Sequence, residues 1–363
     1  MKILYITHLF NTVSAGLTWS VPASIEAQSK YDEVYWINTT VANFDHWKAV
    51  KSYHQIVNPS INLFKNLPDF IKKPDIVVFE GFYDSLLDII WGIQLKQHGI
   101  PYIIVPRSAL TFEAMNNHAK IKKRITHWLF YNRYIRNAKA IQYLTVRECK
   151  ETQQLFGNDY FIVPNGISQQ IKKKVTYNKN SVKGIFIGRL DIHQKGLDVL
   201  LDALESCKIF LIENGFSMDV YGPQNQDFYI IEKMLIEKGL NDIIYLKGET
   251  RGPEKENALL SADVFFLTSR FEGHPMGLIE ALSYGLPCFI TPGSNMGDEV
   301  KDAKCGWVAE FSKKSIAENL KRMIEEKEHF ETLGKRAIEL SKFYDWDRLA
   351  EKFHHEVTKL LVE

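Results

Sequence analysis

Short apolar runs alternate along this chain with longer stretches in which apolar residues recur every three or four positions. In the first half the runs at 3–7, 34–38, 75–79, 102–105, 140–144 and 161–163 predict strands. Helices are expected between them, at 19–29, 84–97, 118–136 and 146–156. The alternation lapses at Asn165-Gly166 and a polar, basic run to Val182, then restarts. Strands follow at 184–187, 217–221, 243–247, 264–268 and 287–291, with helices at 197–206, 227–238, 254–260 and 276–284. Leu197, Leu200, Leu201 and Leu204 give the i, i+3, i+4, i+7 stripe of a core-facing helix. Gly285 is placed to end the last of these helices. Apolar strands separated by amphipathic helices predict parallel sheets covered on both faces. Two such series in 363 residues predict two Rossmann-like domains. The expected boundaries are 1–166, a linker at 167–182, a second domain at 183–342, and a final segment, 343–363.

Composition changes this picture little. Hydrophobic residues make up 45% and charged residues 25%, as in an ordinary globular protein. Cys149, Cys207, Cys288 and Cys305 lack C-x-x-C or zinc spacing, which argues against a disulfide scaffold and fits a reducing cytosol. The first residues hold too short an apolar run for a signal peptide, and no 18-residue apolar stretch predicts a membrane span. The net charge of +1 hides an asymmetry: residues 1–170 carry 18 Lys+Arg against 13 Asp+Glu. Residues 118–139 alone hold seven Lys/Arg, interleaved with aromatics, and no acid. That stretch reads either as a solvated helix face or as a surface docking on an anionic membrane. Nothing else resembles a nucleic-acid module, so no nucleic-acid partner is expected.

The chemistry concentrates in Arg270-Phe-Glu-Gly-His-Pro-Met-Gly-Leu-Ile-Glu280, which runs from a buried strand into a helix. Pro275 is shaped for the first helical position, leaving the amides of Met276, Gly277 and Leu278 without intrahelical partners. Free amides at the positive end of a helix dipole make an anion site, and Gly273 and Gly277 allow close backbone approach. Glu280 would lie on the order of 7 Å further along the axis at the helical rise per residue. A phosphate at the helix end would then have Glu272 beside it and Glu280 a sugar's length away. Carboxylates suit sugar hydroxyls because they accept several hydrogen bonds.

Glu272, seven residues and Glu280, followed by Ala281-Leu-Ser-Tyr-Gly-Leu-Pro287, resemble the E-x7-E motif of family 4 retaining glycosyltransferases. Those enzymes have the GT-B fold, two Rossmann-like α/β domains facing a central cleft, and their final helix crosses back onto the first domain, which the resemblance implies for 346–361 here. Gly184-Ile-Phe-Ile-Gly-Arg-Leu-Asp-Ile-His-Gln-Lys-Gly-Leu197 resembles the same family's strand, G-R-L and K-G sequence. The resemblance implies that Arg189 and Lys195 clamp the donor diphosphate. It places Glu272 at the donor sugar and Glu280 at the ribose. Gly273, His274, Pro275, Met276 and Gly277 form the phosphate and sugar turn, in which His274 either touches a phosphate or sugar or plays a passive role. Gly16, in Ser14-Ala-Gly-Leu-Thr, matches a glycine-rich loop near the diphosphate, with one glycine where family members often have two. Arg107 and Ser108 stand in Val105-Pro-Arg-Ser-Ala-Leu110, which resembles a segment near the reaction centre. Arg107 there meets a donor phosphate or an anionic acceptor, or forms a structural ion pair. Tyr221, Gly222, Gly248 and Glu249 end strands where the family holds the nucleotide, and Asn295 lies in a loop near the sugar.

The function implied is transfer of a hexose-type sugar from a UDP- or GDP-sugar to a hydroxyl of a glycan or lipid-linked glycan, in assembly of a surface polysaccharide. A cationic clamp makes a metal cofactor unnecessary, and no D-x-D stands at a strand end to hold one. The expected setting is cytoplasmic, peripheral on the inner face of the membrane. A sugar-nucleotide epimerase and a non-catalytic nucleotide-sugar-binding subunit are the alternatives.

Overall fold

The structure, a computed structural model, describes residues 1–10, 16–41, 44, 47, 50–110 and 131–362. Contacts divide the chain into two units, one of Met1–Gly166 with Trp346–Glu363 and one of Ile167–Asp345. In the first unit the strands are β1 (Lys2–Thr7), β2 (Glu33–Asn38), β3 (Tyr53–Gln55), β4 (Ile76–Glu80), β5 (Tyr102–Val105), β6 (Ala140–Tyr143) and β7 (Asp159–Ile162). They form one parallel sheet in the order β3-β2-β1-β4-β5-β6-β7. Burial on both faces explains why β1, β4 and β5 read as unbroken apolar runs rather than as alternation.

The second unit holds β8 (Val182–Ile187), β9 (Phe216–Tyr221), β10 (Ile244–Gly248), β11 (Val264–Leu267), β12 (Cys288–Ile290) and β13 (Gly306–Val308). Their order is β10-β9-β8-β11-β12-β13, again parallel. Counted within the unit this is 3-2-1-4-5-6, the doubly wound order whose ligand crevice opens where the order reverses, between β8 and β11. The core there is Phe186, Phe265, Phe266 and Phe289 from the strands, with Leu200, Leu204, Leu278 and Leu282 from helices.

The helix Trp346–Val362 buries Trp346, Leu349, Ala350, Phe353, Val357 and Leu360, a stripe at helical spacing. Its Phe353 ring lies 6.4 Å from Tyr5 and 5.8 Å from Phe161, both in the first unit. Its His354 Nδ1 is 3.0 Å from the Asp32 carboxylate.

The linker expected at 167–182 is instead part of the second unit. Ile167 N donates to Tyr344 O at 2.7 Å, and Lys174 N to Tyr284 O at 2.8 Å. Lys174 Nζ meets Asp263 at 3.0 Å with both side chains buried, and Tyr177 Oη donates to Gly285 O. A polar composition suggested a tether, but these polar groups are spent on fixed partners. Sequence periodicity also missed β3 and β13, each three residues long, and the helices Lys313–Glu325 and Phe330–Ser341. Of the helix expected at 118–136, residues 118–130 lie outside the described residues; Asn132–Asn137 is helical.

Candidate functional site

β8 leads through Gly188-Arg-Leu-Asp191 into the one-turn helix Ile192–Lys195. The Asp191 side chain caps that turn by accepting from Gln194 N at 2.7 Å. Gly196 ends it at φ 64°, and the helix Leu197–Ser206 follows. A Cβ at Gly196 would stand 2.2 Å from Thr268 O, so glycine is required twice over, by conformation and by space. β11 leads through Thr268 to Pro275 into the helix Met276–Ser283. Two loops, one from each side of the switch point, are thus pressed together.

Their contact is a set of charge-assisted bonds. Lys195 Nζ lies 2.6 Å from Glu272 Oε1, with side-chain exposures of 13% and 8%. Ser269 Oγ donates to the same Glu272 oxygen at 2.5 Å. Both residues are part-buried and stand outside the buried core, held there as a pair. Arg270 forks onto both Asp198 oxygens at 2.9 and 2.7 Å, donates to His193 O at 2.6 Å and stacks 4.7 Å from the Phe311 ring. Burial works against the charge of Asp198, but the Arg270 fork outweighs it and holds the carboxyl below the usual range. Arg270 N donates to Gln194 O at 2.8 Å. This brace holds the turn carrying Lys195 against the turn carrying Glu272. Arg189 is exposed, its Nη2 on Gln194 Oε1 at 2.7 Å.

The helix opening differs by one residue from expectation. Pro275 is extended (φ −80°, ψ 102°) and caps the helix, so Met276 is its first residue. Leu278 N already donates to Pro275 O at 3.1 Å, which removes it from the expected set of free amides. Met276 and Gly277, as the first two helical residues, keep amides that no intrahelical carbonyl can reach. The absence of a side chain at Gly277 serves packing: a Cβ would stand 3.3 Å from Ile187 O at the end of β8.

Other expected contacts fall into two groups. Glu280 is part-buried and meets Lys255 Nζ at 2.5 Å. Glu249 pairs with Arg251 at 2.8 Å in an exposed loop, and Gly248 sits at φ 76°. Tyr221 packs partly on the core, and burial raises its hydroxyl pKa. Gly222 is bare for a structural reason, since a Cβ there would meet Gly188 O at 2.5 Å. Asn295, at φ 60°, turns its amide onto the carbonyls of Glu272 and Gly273, bracing the turn that it was expected to complement from the sugar side.

For His274 the structure favours the passive alternative over the expected phosphate contact. Its ring is buried, 5.1 Å from the Tyr344 ring, and burial pushes its pKa down to about 3. It is therefore neutral in the folded protein across ordinary pH and brings no positive charge to a phosphate. Because the unfolded chain takes up this proton near pH 6.5 and the folded chain does not, stability is fully present above that pH. It falls as pH drops toward 3, by up to about 1.4 kcal/mol per unit. Replacing His274 with Phe should shrink the stability difference between pH 7 and pH 5 by about 2 kcal/mol in urea titrations.

In the first unit, Arg107 takes the structural alternative. Its Nε lies 2.7 Å from Glu80 Oε2 and its Nη1 2.8 Å from Asn165 Oδ1, with the guanidinium and Glu80 both buried. Arg107 and Ser108 hold φ of 50° and 66°, and Glu148 accepts from Ser108 N at 2.5 Å and Leu144 N at 2.8 Å. Gly16 caps the helix Leu17–Gln28 with φ −56°, a conformation open to any residue, while Ser14 and Ala15 lie outside the described residues.

Ser269, Arg270, Asp198 and Lys255 were assigned no role from sequence. Asp198 and Arg270 lie 72 residues apart, and nothing in their spacing pairs them. Gly196 was the one legible hint that two backbones meet there.

Two parallel, doubly wound units of this kind constitute the GT-B fold. A solved HepE structure from Anabaena in complex with UDP superposes with a TM-score of 0.74 at 14% identity, covering 99% of this chain and 100% of that one. The structure of WaaG, a glycosyltransferase involved in lipopolysaccharide biosynthesis, gives 0.68 at 16% identity over 98% and 99%. Residues 167–340, which lie within the second unit, match the family model of glycosyl transferases group 1. Among curated relatives, an uncharacterised glycosyltransferase of Methanocaldococcus jannaschii is 22% identical over 88% of this chain and 84% of its own length. A poly(glycerol-phosphate) alpha-glucosyltransferase of Bacillus subtilis is 22% identical over 62% of this chain and 33% of its own length. Among the described residues no helix is long and apolar enough to cross a membrane.

Proposed function

We propose that this protein is a retaining glycosyltransferase of family 4. It moves a hexose-type sugar from a UDP- or GDP-sugar to a hydroxyl of a glycan or lipid-linked glycan during assembly of a cell-surface polysaccharide. The observation that carries this reading is the Lys195–Glu272 pair, 2.6 Å apart at the switch point beside the first turn of Met276–Ser283. One ammonium, one carboxylate and the first two amides of that helix are thus carried by the two loops that meet at the switch point. The diphosphate draws the ammonium and the amides, and the freed carboxylate accepts the sugar hydroxyls.

In the reaction the bond between the anomeric carbon and the phosphate oxygen breaks, its electron pair leaving with the nucleoside diphosphate. The acceptor oxygen bonds to the same carbon, and its proton passes to a phosphate oxygen or to solvent. Lys195 and Arg189 stabilise the charge gathering on the leaving phosphate, which is the main electrostatic demand of the step. Glu272 faces the electron-poor sugar centre, and Glu280 accepts ribose hydroxyls. Since two fixed cations meet that demand, transfer should persist in excess EDTA. The polymer-modifying name of the Bacillus relative and the UDP complex of the Anabaena structure support the donor and the acceptor class. A cytoplasmic site at the inner face of the membrane follows from such an acceptor.

The test is product analysis with UDP- and GDP-hexoses, with and without a polysaccharide-precursor acceptor. The reading requires acceptor-dependent release of nucleoside diphosphate with the anomeric configuration kept. Epimerised donor in the absence of acceptor, or binding without turnover, overturns it.

A further inference from the structure

Glu280, the carboxylate assigned to the ribose, does not stand alone. Its Oε2 is 2.5 Å from the ammonium of Lys255, on the helix Gly252–Ser261. That helix follows β10 and a short loop whose Glu249 and Arg251 are exposed, so Lys255 comes from the segment next to the one expected to hold the base. Both side chains are part-buried, with exposures of 28% and 19%. Partial shielding strengthens the pair relative to a surface one and leaves it reachable by a ligand.

From this geometry we infer that Lys255 is a positioning residue that makes Glu280 a selector for ribose. The inference rests on the donor site proposed above and names a determinant within it. A glutamate side chain that accepts hydroxyls must hold one carboxylate oxygen toward them, and its terminal torsion is otherwise broad. Lys255 takes Oε2 and so fixes the carboxylate plane, leaving Oε1 for the 2′- and 3′-hydroxyls. The same ammonium offsets the negative charge of Glu280, which would otherwise repel a nucleoside diphosphate entering the site. The first effect acts on the ribose alone; the second acts on any nucleotide. The two are therefore separable.

The experiment measures, by calorimetry, binding of UDP, GDP and their 2′,3′-dideoxy counterparts to the full chain and to Lys255→Met and Lys255→Arg. In the wild type the better ribonucleotide should bind about tenfold or more tightly than its dideoxy form, the loss expected for a charge-assisted hydrogen bond. Lys255→Met should weaken both ligands and bring their ratio to within about threefold, whereas Lys255→Arg should restore most of the ratio. A merely structural lysine would weaken both ligands equally and leave the ratio unchanged; that result overturns the inference while the donor site stands. Equal wild-type affinity for ribo- and dideoxy forms overturns it as well. Failure of the wild type to bind UDP or GDP at all would overturn the proposed function, and this inference with it.

Discussion

Lys195→Met should lower kcat/KM for sugar transfer by about 10²–10³-fold, the loss seen when a fixed group that stabilises transition-state charge is removed. The substitution keeps the aliphatic stem and removes the ammonium 2.6 Å from Glu272. Because the side chain is largely buried, the fold will register the change. Glu272 keeps its bond from Ser269 Oγ but loses its cation, so the melting temperature should drop by a few degrees, with circular dichroism unchanged at 25 °C. Steady-state kinetics checked against the melting curve separate the two effects. Turnover within threefold of wild type would remove Lys195 from the diphosphate.

Glu272→Gln is the second large effect; it leaves the Lys195 ammonium without its counter-charge, so the melting temperature should again drop by a few degrees. The amide oxygen can still accept from Lys195 and Ser269, so the local bonds survive in weaker form. What disappears is negative charge beside the sugar centre. The expectation is a fall of about 10²-fold in kcat with KM changed by less than about threefold, the pattern of an interaction made mainly in the transition state. A rise in KM at constant kcat would reduce Glu272 to a ground-state sugar contact.

What the sequence revealed, and what it hid, follows physical range. The strands 102–105 and 264–267 announce themselves because both faces are buried and the run is unbroken. The helix at 276–283 is legible from Pro275 and the apolar residues behind it, although the proline turned out to cap the helix rather than begin it. Glu272, Lys195 and Glu280 could be singled out because a local motif carries them. The pairing of the first two across 77 residues could not, since local periodicity contains no information on which loops meet. The sequence leaves His274 open. Its amide-rich turn suggested a ligand contact beside the passive reading, and burial against Tyr344 makes it a neutral ring. Asn295 was read from its place in a glycine-containing loop, whereas its left-handed backbone turns the amide inward onto the Glu272 turn.

The central claim concerns one small volume: Lys195, Arg189 and the amides of Met276 and Gly277 receive a diphosphate. A crystal grown with UDP or GDP tests it most directly. The account predicts the β-phosphate on those amides, with Lys195 Nζ drawn from Glu272 onto a phosphate oxygen. Nucleotide bound elsewhere, or the Lys195–Glu272 pair intact with that notch vacant at saturating ligand, would contradict it.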